Sequence, residues 1–241
     1  MSFKLTKKNL DSYLLKLGKE FRKLNKKTMP AEIILIGGAS ILANYGFRDL
    51  TYDIDAIIAA SSVMKDAINR VGDELGLPNG WLNTNFIKTT SYSDKLCEVS
   101  IYYKTFSNIL TVRTIAAEYL IAMKLMSGRQ YKFDMSDIVG ILLEHQRLGK
   151  TISLEQIQKA FIKLYGSLSV MPSISKEFIE GIINSLDLES DYLKVRSREK
   201  IAKEAVINFN KDNSGIKNAD TINKVIEQAK KLLESKGKDG C

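Results

Sequence analysis

The chain has 241 residues, 44% hydrophobic and 27% charged, with 36 Lys and Arg against 28 Asp and Glu and a formal net charge of +8. That length fits one large domain or two small ones, and the composition is that of an ordinary globular protein. No apolar run approaches the roughly 20 residues of a membrane span, Cys97 and the final residue Cys241 form neither a disulfide framework nor a thiolate cluster, and the single histidine, His145, excludes a multi-histidine zinc site.

The opening decapeptide MSFKLTKKNL lacks the apolar core of a signal peptide. With so few cysteines a reducing cytoplasm is the expected home, away from any membrane. Leu10, Tyr13, Leu14, Leu17, Phe21 and Leu24 fall at helical spacing, which predicts an amphipathic helix over 6–26 docked by its apolar face on the domain that follows. Lys7, Lys8, Lys16, Lys19, Lys23, Lys26 and Lys27 cover the rest. Residues 1–30 hold nine Lys and Arg against two acids, residues 31–190 are slightly acidic, and the tail from Asp191 is basic again. Basic ends point to an anionic partner such as RNA; solubilising lysines give the same pattern.

Ile33-Ile34-Leu35-Ile36 reads as a buried strand, broken by Gly37 and Gly38. A short helix is expected over 39–45, ended by Gly46 where a left-handed cap is wanted. A second buried strand is expected over 51–58, Thr-Tyr-Asp-Ile-Asp-Ala-Ile-Ile. Alternation puts Asp53 and Asp55 on one face, about 7 Å apart along the strand, with Ile54 facing a core. Two carboxylates there repel each other and lose hydration, and a hard divalent cation relieves both penalties while keeping room for substrate phosphates. The Gly-Gly turn into a helix is the complementary half: a phosphate can approach its backbone, and the helix start offers free N–H groups and positive potential, to which Ser40 adds a hydroxyl. Acids at a solvated strand end are the plainer alternative; the apolar continuation from Ala56 to Ala60 favours the metal–triphosphate reading.

Gly37-Gly38-Ala39-Ser40 followed by Arg48-Asp49-Leu50-Thr51-Tyr52-Asp53-Ile54-Asp55 resembles the signature of the DNA polymerase β-type nucleotidyltransferase superfamily. The Arg-x-x-Thr-x-Asp-x-Asp form is most similar to the bacterial AbiEii and MenT-like toxin branch. The resemblance implies a mixed sheet flanked by helices (an α/β or α+β fold), an NTP substrate and Mg²⁺ or Mn²⁺. It implies metal-binding roles for Asp53 and Asp55 and nucleotide contacts for Gly37, Gly38, Ser40, Arg48 and Thr51.

Further along, Ser61-Ser62 read as N-caps of a helix over 63–75, and Gly76, Pro78, Asn79 and Gly80 mark a loop that Trp81 and Phe86 anchor. Residues 91–94 read as a turn, and 96–103 and 109–112 as strands that pair as a hairpin. Many superfamily members carry a third carboxylate on a strand after Asp-x-Asp, and Glu98 is the acid that falls inside a strand here; an exposed strand residue is the alternative. Lys124 interrupts an apolar helix and therefore needs an anion or a route to water. The run from Ala116 to Ile138 resembles the Lys…Arg…Asp-x-x-Asp block of the toxin-like branch, which implies that Lys124 binds nucleotide phosphates and that Arg129, with Asp134 or Asp137, completes the catalytic site. Asp134 followed by Asp137 also reads as a capping box opening the next helix. From Ser153 onward the pattern is helical, over 154–168, 176–186, 192–209 and 219–233.

Three segments follow: a docked helix over 1–30, a nucleotidyltransferase-like domain over 31–150, and a helical bundle over 151–241 that closes one side of the cleft. The functional expectation is metal-dependent transfer of a nucleotidyl group from an NTP to an acceptor hydroxyl on tRNA or protein, as a toxin paired with an antitoxin. The alternatives are an antibiotic-type small-molecule nucleotidyltransferase and a non-catalytic RNA- or partner-binding protein on the same fold.

Overall fold

Five strands, β1 (Ala31–Leu35), β2 (Ile54–Ala59), β3 (Leu82–Asn83), β4 (Ser100–Phe106) and β5 (Leu110–Ile115), form one mixed sheet in the order β3-β2-β1-β5-β4. The computed structural model describes residues 4–26, 29–129 and 131–212. Lys27, the helix expected over 219–233 and the tail with Cys241 lie outside the described residues. By its internal contacts the chain forms two compact units, Met1–Met123 with Glu155–Val170, and Lys124–Leu154 with the chain from Met171 onward.

The sheet belongs to the first unit. Ile33, Ile34 and Leu35 in β1 are all buried, because both faces of a central strand are covered and the sequence there need not alternate. Strand β1 pairs antiparallel with β2 and parallel with β5, β2 pairs parallel with β3, and β4 pairs antiparallel with β5. The expected hairpin is present, turning through Ser107 and Asn108, both at φ 54°.

Helix α1 (Lys7–Leu24) lays Leu10, Leu14, Leu17 and Phe21 into this core, all fully buried. Gly18 permits the close approach: a Cβ there would stand 3.2 Å from the Cβ and carbonyl oxygen of Phe106. Before α1, Leu5 and Thr51 exchange backbone hydrogen bonds of 2.8 and 2.9 Å, which ties the N-terminal segment to the stretch leading into β2. Helix α3 (Val63–Leu75) spans the expected residues and ends on Gly76 in the left-handed region. Trp81 is buried beside it and donates from Nε1 to the Ile68 carbonyl at 3.1 Å, so it anchors the loop as expected.

Four local expectations change. Helix α2 (Gly37–Asn44) starts earlier and is closed by Tyr45 in an extended conformation, not by a left-handed Gly46; Tyr45 is buried, its ring 5.6 Å from that of Phe47, and this packing decides the exit. Strand β2 begins at Ile54, since Thr51 is engaged with Leu5 instead. Ser62 precedes α3 but already has helical angles (φ −56°, ψ −28°), and its side chain makes no cap bond; a cap needs extended angles to aim its oxygen at the helix N–H groups. Strand β4 begins at Ser100. Residues 94–96 form a 3₁₀ turn that Ser93 opens by accepting from Lys95 N–H, and Ser100 Oγ donates to the Cys97 carbonyl at 2.7 Å, so Leu96 to Val99 stay in turn geometry.

Helix α4 (Ala117–Ser127) runs across the boundary between the units, and α6 (Leu154–Tyr165) is part of the first. There Ser93 Oγ donates to the Leu164 carbonyl at 2.9 Å and the Tyr165 hydroxyl to the Ser91 carbonyl at 2.8 Å. The second unit contains α5 (Asp134–Arg147), α7 (Ser173–Ile182) and α8 (Leu188–Asp212), with α5 packed on α8. Among the described residues no helix is long and apolar enough to cross a membrane.

Candidate functional site

The chain leaves β1 at Leu35 and turns at once into α2. Ile36 N–H still reaches across to the Asp55 carbonyl at 2.8 Å, so the end of β1 is locked against the start of β2. Gly37 takes φ +53°, a conformation that glycine adopts without strain, and this makes the abrupt turn possible. At Gly38 a Cβ would stand 2.8 Å from Thr51 Oγ1 and 3.0 Å from Arg48 Nη2. Three positions separated by up to thirteen residues in sequence therefore meet at the first turn of α2. Arg48 is steadied by donating from Nε to the Leu50 carbonyl at 3.2 Å.

Two residues beyond Thr51, Asp53 is exposed, and Asp55 is half-buried inside β2, while Ile54 between them is fully buried. Asp53 stands just before the first residue of β2, so strand alternation fixes only Ile54 and Asp55, on opposite faces. Opposite Asp55 in the parallel β2–β3 pair stands Asn83. A groove of about 920 Å³ is walled by α3 and the loop to β3, with Asn69, Asn79, Asn83, Asn85, Thr84 and Lys65 among its lining; Ile58, Met64 and Leu82 also line it, so it opens on the Ile54 side of β2, and Asp53 and Asp55 are not part of it.

Ser40 is placed differently. It is fully buried, and its hydroxyl oxygen accepts from Ile115 N–H at 3.1 Å, which joins α2 to the end of β5. Glu98 is also placed differently: it is exposed in the turn before β4, 3.6 Å from Lys163 Nζ, and not inside a strand. Strand β4 lies three strands across the sheet from β2, roughly 14 Å at the usual spacing. The strand position on which a third metal ligand rested does not exist.

The second unit gathers the other group of expected residues. Lys124 Nζ lies 2.6 Å from Asp134 Oδ1 and 2.9 Å from Asp137 Oδ2, and Arg129 Nε lies 2.9 Å from Asp134 Oδ2. Both aspartates are completely buried. Burial pushes the Asp134 carboxyl up, but Lys124 and Arg129 outweigh it and hold it below the ordinary carboxylate range. The N-cap of α5 is Phe133 in the left-handed region, φ 65°, so Asp134 and Asp137 sit within the first turns and form no capping box. The cap comes from elsewhere in the unit. Glu199 of α8 accepts from Met135 N–H at 2.9 Å and Ser136 N–H at 3.1 Å. Burial, with a smaller push from Asp137, raises its carboxyl to about 7 despite these bonds. Arg196 lies beside it, its guanidinium carbon 3.8 Å from the centre of the Phe133 ring and its Nη1 3.2 Å from Ser136 Oγ. No periodicity or motif marks Glu199 in the sequence; its role follows from the packing of α8 on α5.

Metal binding can be judged on donor chemistry. Among the described residues no group of three or more His, Cys, Asp or Glu side chains comes together as a metal centre. Two carboxylates two residues apart, Asp53 just before β2 and Asp55 inside it, are nevertheless a donor set that suits Mg²⁺, which is held by one or two carboxylates and completes its shell with water and substrate phosphates. Asp53 and Asp55 fit that requirement.

A family model described as a nucleotidyltransferase of unknown function (DUF6036) matches residues 12–175, and the chain belongs to that family. The match takes in the Gly-Gly turn, Arg48, Thr51, Asp53, Asp55 and the Lys124 cluster. No curated protein and no solved structure matches the chain.

Proposed function

We propose that this member of a nucleotidyltransferase family transfers a nucleoside monophosphate from an NTP to an acceptor hydroxyl, the acceptor oxygen bonding to the α-phosphorus as the α–β phosphoanhydride bond breaks and pyrophosphate and the hydroxyl proton leave, and that the site lies where the start of α2 meets β2. The observation that carries the reading is the meeting of Thr51 Oγ1 and Arg48 Nη2 at the position a Gly38 side chain would take. A phosphate placed at the first turn of α2 finds backbone N–H groups, a hydroxyl and a guanidinium converging from three directions. Asp53 and Asp55, two and four residues past Thr51, hold the divalent cation, Mg²⁺ or Mn²⁺. When bound, that cation supplies Lewis-acid polarisation of the transferred phosphoryl group and charge neutralisation.

The protein's own residues then have distinct tasks. Gly37 makes the turn, and Gly38, having no side chain, lets Thr51 and Arg48 close onto the first turn of α2. Arg48 balances triphosphate charge, while Thr51 orients a phosphate oxygen. Ser40 holds α2 against β5 and so sets the angle of the helix start. Lys124, Arg129, Asp134 and Asp137 act within the second unit as a balanced cluster of two cations and two anions that fixes the turn between α4 and α5.

The Arg-x-x-Thr-x-Asp-x-Asp spacing supports the finer reading of a toxin-like enzyme of the AbiEii or MenT kind, with a tRNA end or a protein hydroxyl as acceptor and an antitoxin as partner. The polar groove lined by Lys65, Asn69, Asn79, Asn83 and Asn85 supports a second reading in which a small polar molecule is the acceptor. Incubation of the full chain with each α-labelled NTP and Mg²⁺, in turn with total RNA, with cell protein and with small-molecule extract, tests both. Label transferred to RNA or protein supports the toxin-like reading, label in the small-molecule fraction supports the groove reading, and no label with any NTP refutes the transferase assignment.

A further inference from the structure

Helix α1 carries a surface that the transferase reading does not use. Its two acids both turn sideways into pairs with other elements. Asp11 accepts from the Tyr103 hydroxyl at 2.8 Å and pairs with Lys104 at 2.9 Å, and Glu20 pairs with Arg70 at 3.1 Å. Lys16 and Arg22 also turn aside, to Glu74 and to the Ser107 carbonyl. What remains facing outward is a ridge of Lys8, Ser12, Leu15, Lys19 and Lys23, spaced by four, three, four and four residues and exposed throughout. Among the described residues no acid pairs with Lys8, Lys19 or Lys23. Lys19 and Lys23 are moreover like charges one turn apart, an arrangement that disfavours the helix on its own.

We propose that this ridge docks the phosphate backbone of a nucleic acid. The inference stands on the geometry of α1 and does not depend on the transferase chemistry. From Lys8 to Lys23 the ridge runs about 22 Å at the α-helical rise, the length of roughly six phosphates along one strand. Lys8 stands at one end of the ridge and Lys19 and Lys23 at the other, gaps of about 16 and 6 Å along the axis, and the acids that would neutralise them are held at the flanks. A membrane surface fits less well. Amphipathic helices that bind lipid insert their apolar face, and here that face, Leu10, Leu14, Leu17 and Phe21, is fully buried in the protein core.

The test is fluorescence anisotropy of the full chain with a labelled tRNA transcript and with a labelled DNA hairpin, each across a series of salt concentrations. The triple variant Lys8→Glu/Lys19→Glu/Lys23→Glu is expected to bind at least roughly tenfold more weakly, with a log–log salt slope shallower by about 2 to 3, because each lost phosphate contact removes about 0.9. A control triple, Lys150→Glu/Lys176→Glu/Lys200→Glu, changes net charge equally at exposed lysines of the second unit and is expected to keep both affinity and slope. Circular dichroism checks that each variant is folded; if the glutamates disrupt α1, the Lys→Gln triple is measured in their place, with a smaller change in the same direction. Tighter binding of the tRNA identifies RNA as the ligand, and equal binding of both identifies the backbone they share. The proposal is overturned if neither nucleic acid binds, if the control weakens binding as much as the ridge variant, or if only vesicles containing phosphatidylserine bind.

Discussion

Glu199 gives a pH dependence whose sign can be worked out in advance. Its carboxyl is raised from 4.5 to about 7 by burial on α8 against the start of α5. Below pH 4.5 the folded and unfolded chains both hold the proton, and the junction keeps its full strength. Between 4.5 and 7 the unfolded chain has released the proton while the folded chain retains it, so stability falls as pH rises. Above 7 the loss is complete, and at about 1.4 kcal/mol for each pH unit of that window it amounts to roughly 3 kcal/mol. Urea unfolding at pH 5 and pH 8, followed by circular dichroism, should show the wild type losing stability across the interval. Glu199→Gln cannot ionise. It keeps one acceptor oxygen for Met135 or Ser136 N–H but turns an NH₂ group toward the other, so it should be less stable than wild type at pH 5 and equal or better at pH 8. If Glu199→Gln shows the wild-type loss between these two pH values, the pH dependence does not come from Glu199 and the argument fails.

Three further outcomes are expected. Gly38→Ala places a methyl 2.8 Å from Thr51 Oγ1; it should abolish measurable NTP binding by calorimetry and cost roughly 1–3 kcal/mol of stability as local overpacking, and unchanged NTP affinity would remove Gly38 from the site. Asp53→Asn and Asp55→Asn each remove a charge with little change in size, so each should eliminate Mg²⁺-dependent label transfer while leaving the melting curve close to wild type; wild-type turnover in both would end the metal assignment. Lys124→Met leaves Asp137 and part of Asp134 buried without their cation, so it should destabilise the chain by about 3–5 kcal/mol; a double variant Lys124→Met/Asp137→Leu should recover part of that loss in the same urea assay.

The parts of the fold that local chemistry decides were legible in the sequence. The apolar stripe of α1, the buried run of β1 and the Gly-Gly break each follow from side chains within a few residues, and they appear where the periodicity places them, whereas the strand expected from Thr51 begins only at Ile54. Arg48, Thr51 and Gly38 were legible as a set only through the motif; that they converge on one point depends on the exchange between Leu5 and Thr51 and on the exit of α2 through Tyr45, which no local pattern encodes. Glu98 failed for a definable reason. Apolar and β-branched neighbours predict a strand, but strand structure needs a partner, and the ladder to β5 begins only at Ser100 opposite Ile115.

The Lys124 cluster shows where pattern reading stops. A lysine within an apolar helix signals that an anion must be near, and the sequence offers two classes of anion that look identical from its side: a substrate phosphate or a carboxylate of the chain itself. Asp134 and Asp137 lie ten and thirteen residues on, and Asp134 also draws Arg129, so the two carboxylates are both close and each within salt-bridge reach of a cation. An internal carboxylate is present at all times, whereas a phosphate is present only when substrate is bound; at 2.6 and 2.9 Å the internal partners already satisfy the ammonium. A substrate phosphate reaching Lys124 would have to displace one of two buried carboxylates, leaving it uncompensated at a cost of several kcal/mol. At Gly38 the side chains drawn together are a neutral hydroxyl, Thr51 Oγ1, and the Arg48 guanidinium, which also donates to the Leu50 carbonyl at 3.2 Å, and no buried carboxylate stands among the atoms nearest a Gly38 Cβ. On that ground we propose the α2–β2 junction as the binding position and the Lys124 cluster as a structural clamp, and NTP calorimetry on Gly38→Ala beside Lys124→Met tests the division: loss of binding only in the first variant supports it, and loss only in the second refutes it.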